Sequence, residues 1–98
     1  MKLLLFGRNP ATVMRVTAAL SAAGLVADGV ASEEDALARL GDFEVLLLGA
    51  GVVGDLRERV TAAAAGHGVT VIQGPHIEPD RDALEYVRTE ILPRFKDS

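Results

Sequence analysis

The residues of this chain whose types and spacing could do chemistry are few, and the most suggestive are glycines. Gly49-Ala50-Gly51-Val52-Val53-Gly54 follows an apolar run and leads into a helical pattern. That setting gives G-x-G-x-x-G its meaning as a dinucleotide-binding fingerprint. Small residues let a pyrophosphate approach the backbone, the third glycine lets the helix pack closely, and the free N–H groups of the helix N-terminus face the anion. Arg8, just after an earlier apolar run, adds a planar guanidinium suited to clamping a phosphate. Gly49, Gly51, Gly54 and Arg8 are therefore the candidate residues of a nucleotide or dinucleotide site. Two residues oppose that reading. The next strand should end in Asp or Glu for the ribose hydroxyls, yet Gln73 stands there, and Asp55 in the first turn of the helix would repel a bound anion. A tight turn that simply requires small residues is the competing explanation.

Catalysis has still fewer candidates. The chain contains no cysteine, which removes thiol chemistry, disulfides and cysteine-based metal sites. His67 lies in a Gly-His-Gly turn and His76 follows a proline, far apart and without a carboxylate at ligand spacing, so both read as surface residues. Ser21, Ser32 and Ser98 fall on a helix, at a cap and at the terminus, none of them on a strained strand-to-helix elbow. The expectation is a non-enzymatic protein with no catalytic residue, no metal site and no obligatory cofactor.

The elements that must position these residues follow from the apolar pattern. A length of 98 residues allows one hydrophobic core, hence a single domain over residues 1–98. A hydrophobic content of 49% with charge spread along the chain is a globular composition and not a disordered one. The net charge of −4, with no cluster of Lys and Arg, excludes a nucleic-acid surface, because phosphate contacts need dense positive charge. The apolar start through Phe6 stops at Gly7-Arg8, too short for a signal peptide or a membrane span, so the expected setting is cytoplasmic, away from membranes.

Four β-then-α units follow one another. Strand one is Lys2–Gly7, an unbroken apolar run of the kind buried on both faces of a sheet. Asn9 caps helix one, Pro10 opens it, and it runs to about Ala23 with Val13, Val16, Leu20 and Ala23 on one face. Strand two, about Leu25–Ala31, is interrupted by Asp28 and Gly29 and suits an edge. Ser32 and Asp35 open helix two, which ends near Leu40 with Ala36, Leu37 and Leu40 inward. Strand three, Glu44–Leu48, is the most apolar and so central. Helix three covers about Val53–Ala65, strand four Val69–Gln73, and helix four about Arg81–Leu92, ended by Pro93. Short connections and right-handed crossovers lead to an α/β, flavodoxin-like or Rossmann-like three-layer sandwich: four parallel strands in order 2-1-3-4 with four helices. Ligands of such sheets bind where strands one and three diverge, beside Gly7, Arg8, Asn9, Gly49, Ala50 and Gly51.

Three stretches together resemble the receiver domain of bacterial response regulators, over roughly Lys2 to Gln73. They are Phe6-Gly7-Arg8-Asn9-Pro10 leading into a helix, Ser32-Glu33-Glu34-Asp35-Ala36-Leu37, and Phe43-Glu44-Val45-Leu46-Leu47-Leu48-Gly49. In receivers the first strand ends in an acidic pair that holds magnesium, and the third in the aspartate that accepts phosphate. Gly7 and Arg8 stand at the pair here and Gly49 at the acceptor. Glycine offers no carboxylate, and arginine cannot ligate a cation that wants oxygen. Receivers also carry a Ser or Thr after the fourth strand and a Lys after the fifth, whereas this chain has Gln73-Gly74 and no fifth strand. The resemblance is thus to a pseudo-receiver, shortened at its C-terminal end, and it implies a signalling module that works by protein interaction. Without a fifth strand, Val69–Gln73 would be an uncharged edge of high β-propensity. The expected consequence is a homodimer through that strand or helix four, with Tyr86 and Phe95 as anchors.

Overall fold

The computed structural model describes residues 2–96 of the chain. Its centre is the pair of strands that the sequence makes most apolar. β1 (Lys2–Phe6) is buried from Leu3 to Phe6 and β3 (Val45–Leu48) throughout, and the two run side by side with Leu3 opposite Val45 and Phe6 opposite Leu48. β2 (Val26–Val30) pairs with the outer side of β1 and β4 (Thr70–Gln73) with the outer side of β3, all parallel, in the order β2-β1-β3-β4. Register decides where the loops meet. Phe6, Leu48 and Gln73 lie in one row, so the residues after them emerge together at one end of the sheet.

Successive strand residues point to opposite faces, and both faces are covered. Leu3, Leu5, Val45 and Leu47 pack against α1 (Pro10–Ala22) and the C-terminal helix through Val13, Val16, Leu20, Tyr86, Val87 and Ile91. Leu4, Phe6, Leu46 and Leu48 pack on the other side against α2 (Glu33–Arg39), the 3-10 turn Leu40–Asp42 and α3 (Gly54–Gly66), through Ala36, Leu40, Val60 and Ala64. The result is a flavodoxin-like three-layer α/β fold in the order that the sequence predicts. No helix among the described residues is long and apolar enough to cross a membrane.

The helix starts are set by side chains. Asn9 Oδ1 accepts hydrogen bonds from the N–H groups of Ala11 (3.0 Å) and Thr12 (3.3 Å), and Pro10 occupies a position whose N–H would have no partner. Ser32 Oγ accepts from the Asp35 N–H (3.2 Å) and Asp82 Oδ1 from the Leu84 N–H (3.3 Å). α1 lies close to the sheet because two strand-side positions have no side chain. A Cβ at Gly7 would sit 2.9 Å from Val13 Cγ2, and one at Gly29 would sit 2.6 Å from Val13 Cγ1 and still closer to Thr17 Oγ1.

Four expectations need correction. Pro93 does not end the last helix: α4 (Ala83–Tyr86), a π-helical turn (Val87–Ile91) and α5 (Leu92–Lys96) follow without a break as one C-terminal helix. The wider turn, in which the Leu92 N–H bonds back to the Val87 carbonyl, relieves the conflict between the proline ring and the preceding turn. That helix starts at Ala83 and not at Arg81, since Asp82 is the cap. Leu37 is not inward but 40% exposed, because Ala36 and Leu40, four apart, take the core side of a helix of only seven residues. Val53 precedes α3 as its cap residue and is exposed. The Phe95 side chain, expected to anchor a dimer, and Ser98 lie outside the described residues.

Candidate functional site

The loops that leave β1, β3 and β4 surround a cleft of about 450 Å³ on the face of the sheet shared by α1 and the C-terminal helix. Its floor is apolar, made by Leu5, Leu47, Val13 and Val16. Arg8 and Asn9 border it from the first loop, Gly49, Ala50 and Gly51 from the second, and Gly74 to Ile77 from the third. This is the end of the sheet where such folds bind ligands, and the volume lies within the ordinary range for small-molecule sites.

Of the four residues that the sequence marks, three meet here. Arg8, Gly49 and Gly51 all line the cleft, whereas Gly54 does not. The Arg8 stem lies against Gly51, whose added Cβ would be 3.4 Å from Arg8 Cγ. Gly54 has another reason to be glycine. Its φ of +61° is a left-handed conformation that side chains disfavour, and a Cβ there would meet nothing within 4 Å, so close helix packing is not its role. Val52, inside the glycine run, is fully buried and pins the loop to the α2–α3 side of the core.

Gln73 also has an internal task. Its side-chain amide donates to the carbonyls of Leu48, Gly49 and Gly74, each at 3.2 Å, and its Oε1 accepts from Arg57 Nε at 2.9 Å. Those bonds tie the ends of β3 and β4 together and leave the amide no free donor for a ribose. Asn9 is likewise occupied by the α1 cap. Gly49 is held by its N–H to the Phe6 carbonyl (2.8 Å) and Gly74 by its N–H to the Leu48 carbonyl (2.8 Å), so the three strand ends are locked in register.

The sequence does not single out three further features of the cleft. Arg15 lines it from α1, partly buried, with Nη2 donating to the Arg81 carbonyl at 2.6 Å. Arg15 follows Thr12 by three residues and Ala11 by four, the helical spacing that puts all three on the rim of the apolar face of α1, which is the signal that could have found it. Tyr86, expected as a dimer anchor, is instead buried in the core of the chain itself and closes the floor. Its hydroxyl donates to the Pro75 carbonyl, and burial pushes its pKa above the ordinary 10.0, with the charge of Glu90 adding to the rise. Pro75, His76, Ile77 and Pro79 form a wall from a segment without regular structure.

The charge of the cleft is one-sided. Arg8 and Arg15 line it, and no Asp or Glu does, although the chain as a whole carries −4. Arg8 makes no ion pair among the described residues. Acidic residues are spent elsewhere: Asp28 pairs with Arg39, whose hydrogen bond, with that of the Gly29 N–H, holds the carboxyl below its usual range. Glu33 accepts two bonds from Arg59, at 2.6 and 3.0 Å, which lower its pKa in the same way. That pair borders a second, more polar cleft of about 360 Å³ on the opposite face, which Arg8 also touches. Among the described residues no three His, Asp or Glu side chains converge as a metal site. Comparison with protein-family models, with curated proteins and with solved structures finds no match to this chain.

Proposed function

We propose that this domain acts by binding and not by chemistry, as a cytoplasmic regulatory module of pseudo-receiver type that contacts other proteins. The observation that carries the reading is at the ends of the two central strands, where receivers keep their carboxylates. Gly7 and Gly49 stand there, and Gly7 is packed so closely under Val13 that a larger residue would collide. A domain of this build has no acceptor for a phosphoryl group at that position. Incubation with acetyl phosphate followed by intact mass spectrometry tests it: the mass should not change, and a stoichiometric phosphate adduct would overturn the proposal.

A second reading, a small nucleotide-binding module, is favoured by the meeting of Arg8, Gly49 and Gly51 in one cleft. The engaged Gln73 and the separate position of Gly54 weigh against it. Thermal unfolding with ATP or NAD at a hundredfold excess over a trial dissociation constant separates the two readings. Specific binding would stabilise the fold by about 2.7 kcal/mol, and the pseudo-receiver reading expects no shift.

The interaction expected first is with a second copy. Among the described strands β4 pairs only with β3, which leaves the other edge of Thr70–Gln73 unpaired within the sheet. An isologous dimer across that edge closes without growing. Sedimentation at micromolar concentration should give twice the chain mass, and a monomer would remove strand four from the proposal.

A further inference from the structure

The large cleft has a composition that neither protein contacts nor a dinucleotide fingerprint accounts for. We infer that it is a binding site for a small organic anion, with an aromatic or branched apolar body and one carboxylate or phosphate group. Three observations converge on that chemistry. The volume of about 450 Å³ is that of a small-molecule site, not of a packing defect. The floor of Leu5, Val16, Leu47 and Tyr86 offers nothing to a hydrated ion but suits an apolar body. Arg8 and Arg15 are the charged residues that line the cleft, with no carboxylate lining it to neutralise them.

The two arginines differ in their freedom. Arg15 is fixed, since one of its five N–H groups is given to the Arg81 carbonyl, and the remainder of its fork stays available for an anion. Arg8 is exposed, and its stem lies along Gly51, so its head can move toward whatever Arg15 holds. Guanidinium pairs bind planar carboxylates and phosphates in two-pronged fashion, and a partly dry cleft strengthens such bonds over those in water. Gly49, Gly51 and Gly74 line the cleft and add no side chain to it. The inference rests on the cleft alone and stands or falls separately from the pseudo-receiver reading.

The probe is 8-anilinonaphthalene-1-sulfonate, whose aromatic body and single anionic group match the class. Its uncharged relative N-phenyl-1-naphthylamine serves as control. Fluorescence titration of the full chain should show one sulfonate dye per chain, tighter binding of the charged dye than of the neutral one, and weakening with salt. Arg8→Gln and Arg15→Gln should each weaken the charged dye by about tenfold or more and leave the neutral dye unchanged, while Arg15→Lys, which keeps the charge but not the fork, should recover only part of the loss. Circular-dichroism melting of each variant identifies any that fail to fold, and Arg8→Gln, at an exposed residue, keeps the test decisive if Arg15→Gln does. Displacement of the dye by phenyl phosphate or by phenylacetate then tells phosphate from carboxylate. Equal affinity for the two dyes, indifference to both arginine variants, or displacement by neither competitor at millimolar concentration would overturn the assignment.

Discussion

Replacing Gly29 by alanine is the sharpest test of how α1, and with it Arg15 and the wall of the cleft, is held on the sheet. Gly29 is not among the glycines of positive φ, which are Gly24, Gly54 and Gly68. Backbone conformation alone would therefore favour alanine there by roughly 0.5–1 kcal/mol. Space decides the opposite. The new Cβ would stand 2.6 Å from Val13 Cγ1 and closer still to Thr17 Oγ1, so the helix must back away from β2 or two side chains must leave their rotamers. Overpacking of this kind costs about 1–3 kcal/mol. With two overlaps on one methyl group we expect a net loss of about 2 kcal/mol, or a fall of roughly 8–16 °C in melting temperature for a domain of this size.

Thr17 gives the control. Its hydroxyl is buried and has no hydrogen-bond partner, so Thr17→Ala exchanges a lost methyl contact of about 0.8 kcal/mol for relief of an unpaired polar group worth about 1–3 kcal/mol. That single change should leave stability unchanged or raise it by up to about 2 kcal/mol. In the double variant the nearest remaining atom of residue 17 is Cβ, at an ordinary 3.5 Å, while the Val13 overlap persists. Partial rescue is the expected result, with a coupling of about 1 kcal/mol in a double-mutant cycle followed by thermal and urea unfolding. A Gly29→Ala protein that melts with the parent, or strictly additive changes, would refute the close-approach account of how α1 docks.

Tyr86→Phe removes the bond to the Pro75 carbonyl and should cost about 1 kcal/mol at neutral pH. Because burial raises the Tyr86 pKa above 10.0 in the folded protein, the stability it contributes is complete below the unfolded value and is lost as pH rises through the folded one. The parent should therefore lose melting temperature faster above about pH 10 than Tyr86→Phe does, and parallel curves would contradict that role. Gln73→Ala removes the amide that donates to the Leu48 and Gly49 carbonyls and so clamps the β3 and β4 ends. It should cost about 1–2 kcal/mol and speed amide hydrogen exchange at Gly49 and Gly51, whereas unchanged exchange would show that the clamp is not needed.

The parts of this molecule that sequence reveals are those fixed by local pattern. Leu3-Leu4-Leu5-Phe6 and Val45-Leu46-Leu47-Leu48 can satisfy apolar residues on both faces only inside a parallel sheet, and the order β2-β1-β3-β4 follows once crossovers are right-handed. Asn9, Ser32 and Gly24 mark helix ends by chemistry that acts within a few residues. Arg8, Gly49 and Gly51 could be placed in the cleft for the same reason, since they directly follow central strands. Arg15 and Tyr86 could not. Their meeting depends on the C-terminal helix crossing from β4 to the α1 face, and the bond from Arg15 to the Arg81 carbonyl joins residues that no local rule relates. Pro93 misleads because a proline stops a regular α-helix, while a π turn just before it changes which carbonyls it meets.

The same glycines explain both what this site lacks and what it has room for. Phe6, Leu48 and Gln73 end their strands in one row, and the next residues along the chain are Gly7, Gly49 and Gly74, so no side chain fills the space above three neighbouring strand ends. At Gly49 a side chain would fit at ordinary distance, 3.4 Å from the Gly7 Cα and 3.5 Å from the Phe6 carbonyl. At Gly7 it would not, because Val13 already occupies the place, and Val13 is buried in the core that holds α1. A carboxylate side chain could thus be accommodated at Gly49 but not at Gly7 without displacing the helix that carries Arg15. On the pseudo-receiver reading proposed above, phosphorylation chemistry and the present cleft would compete for one volume beneath α1. In this chain the volume has gone to Val13 on one side and to the open cleft on the other.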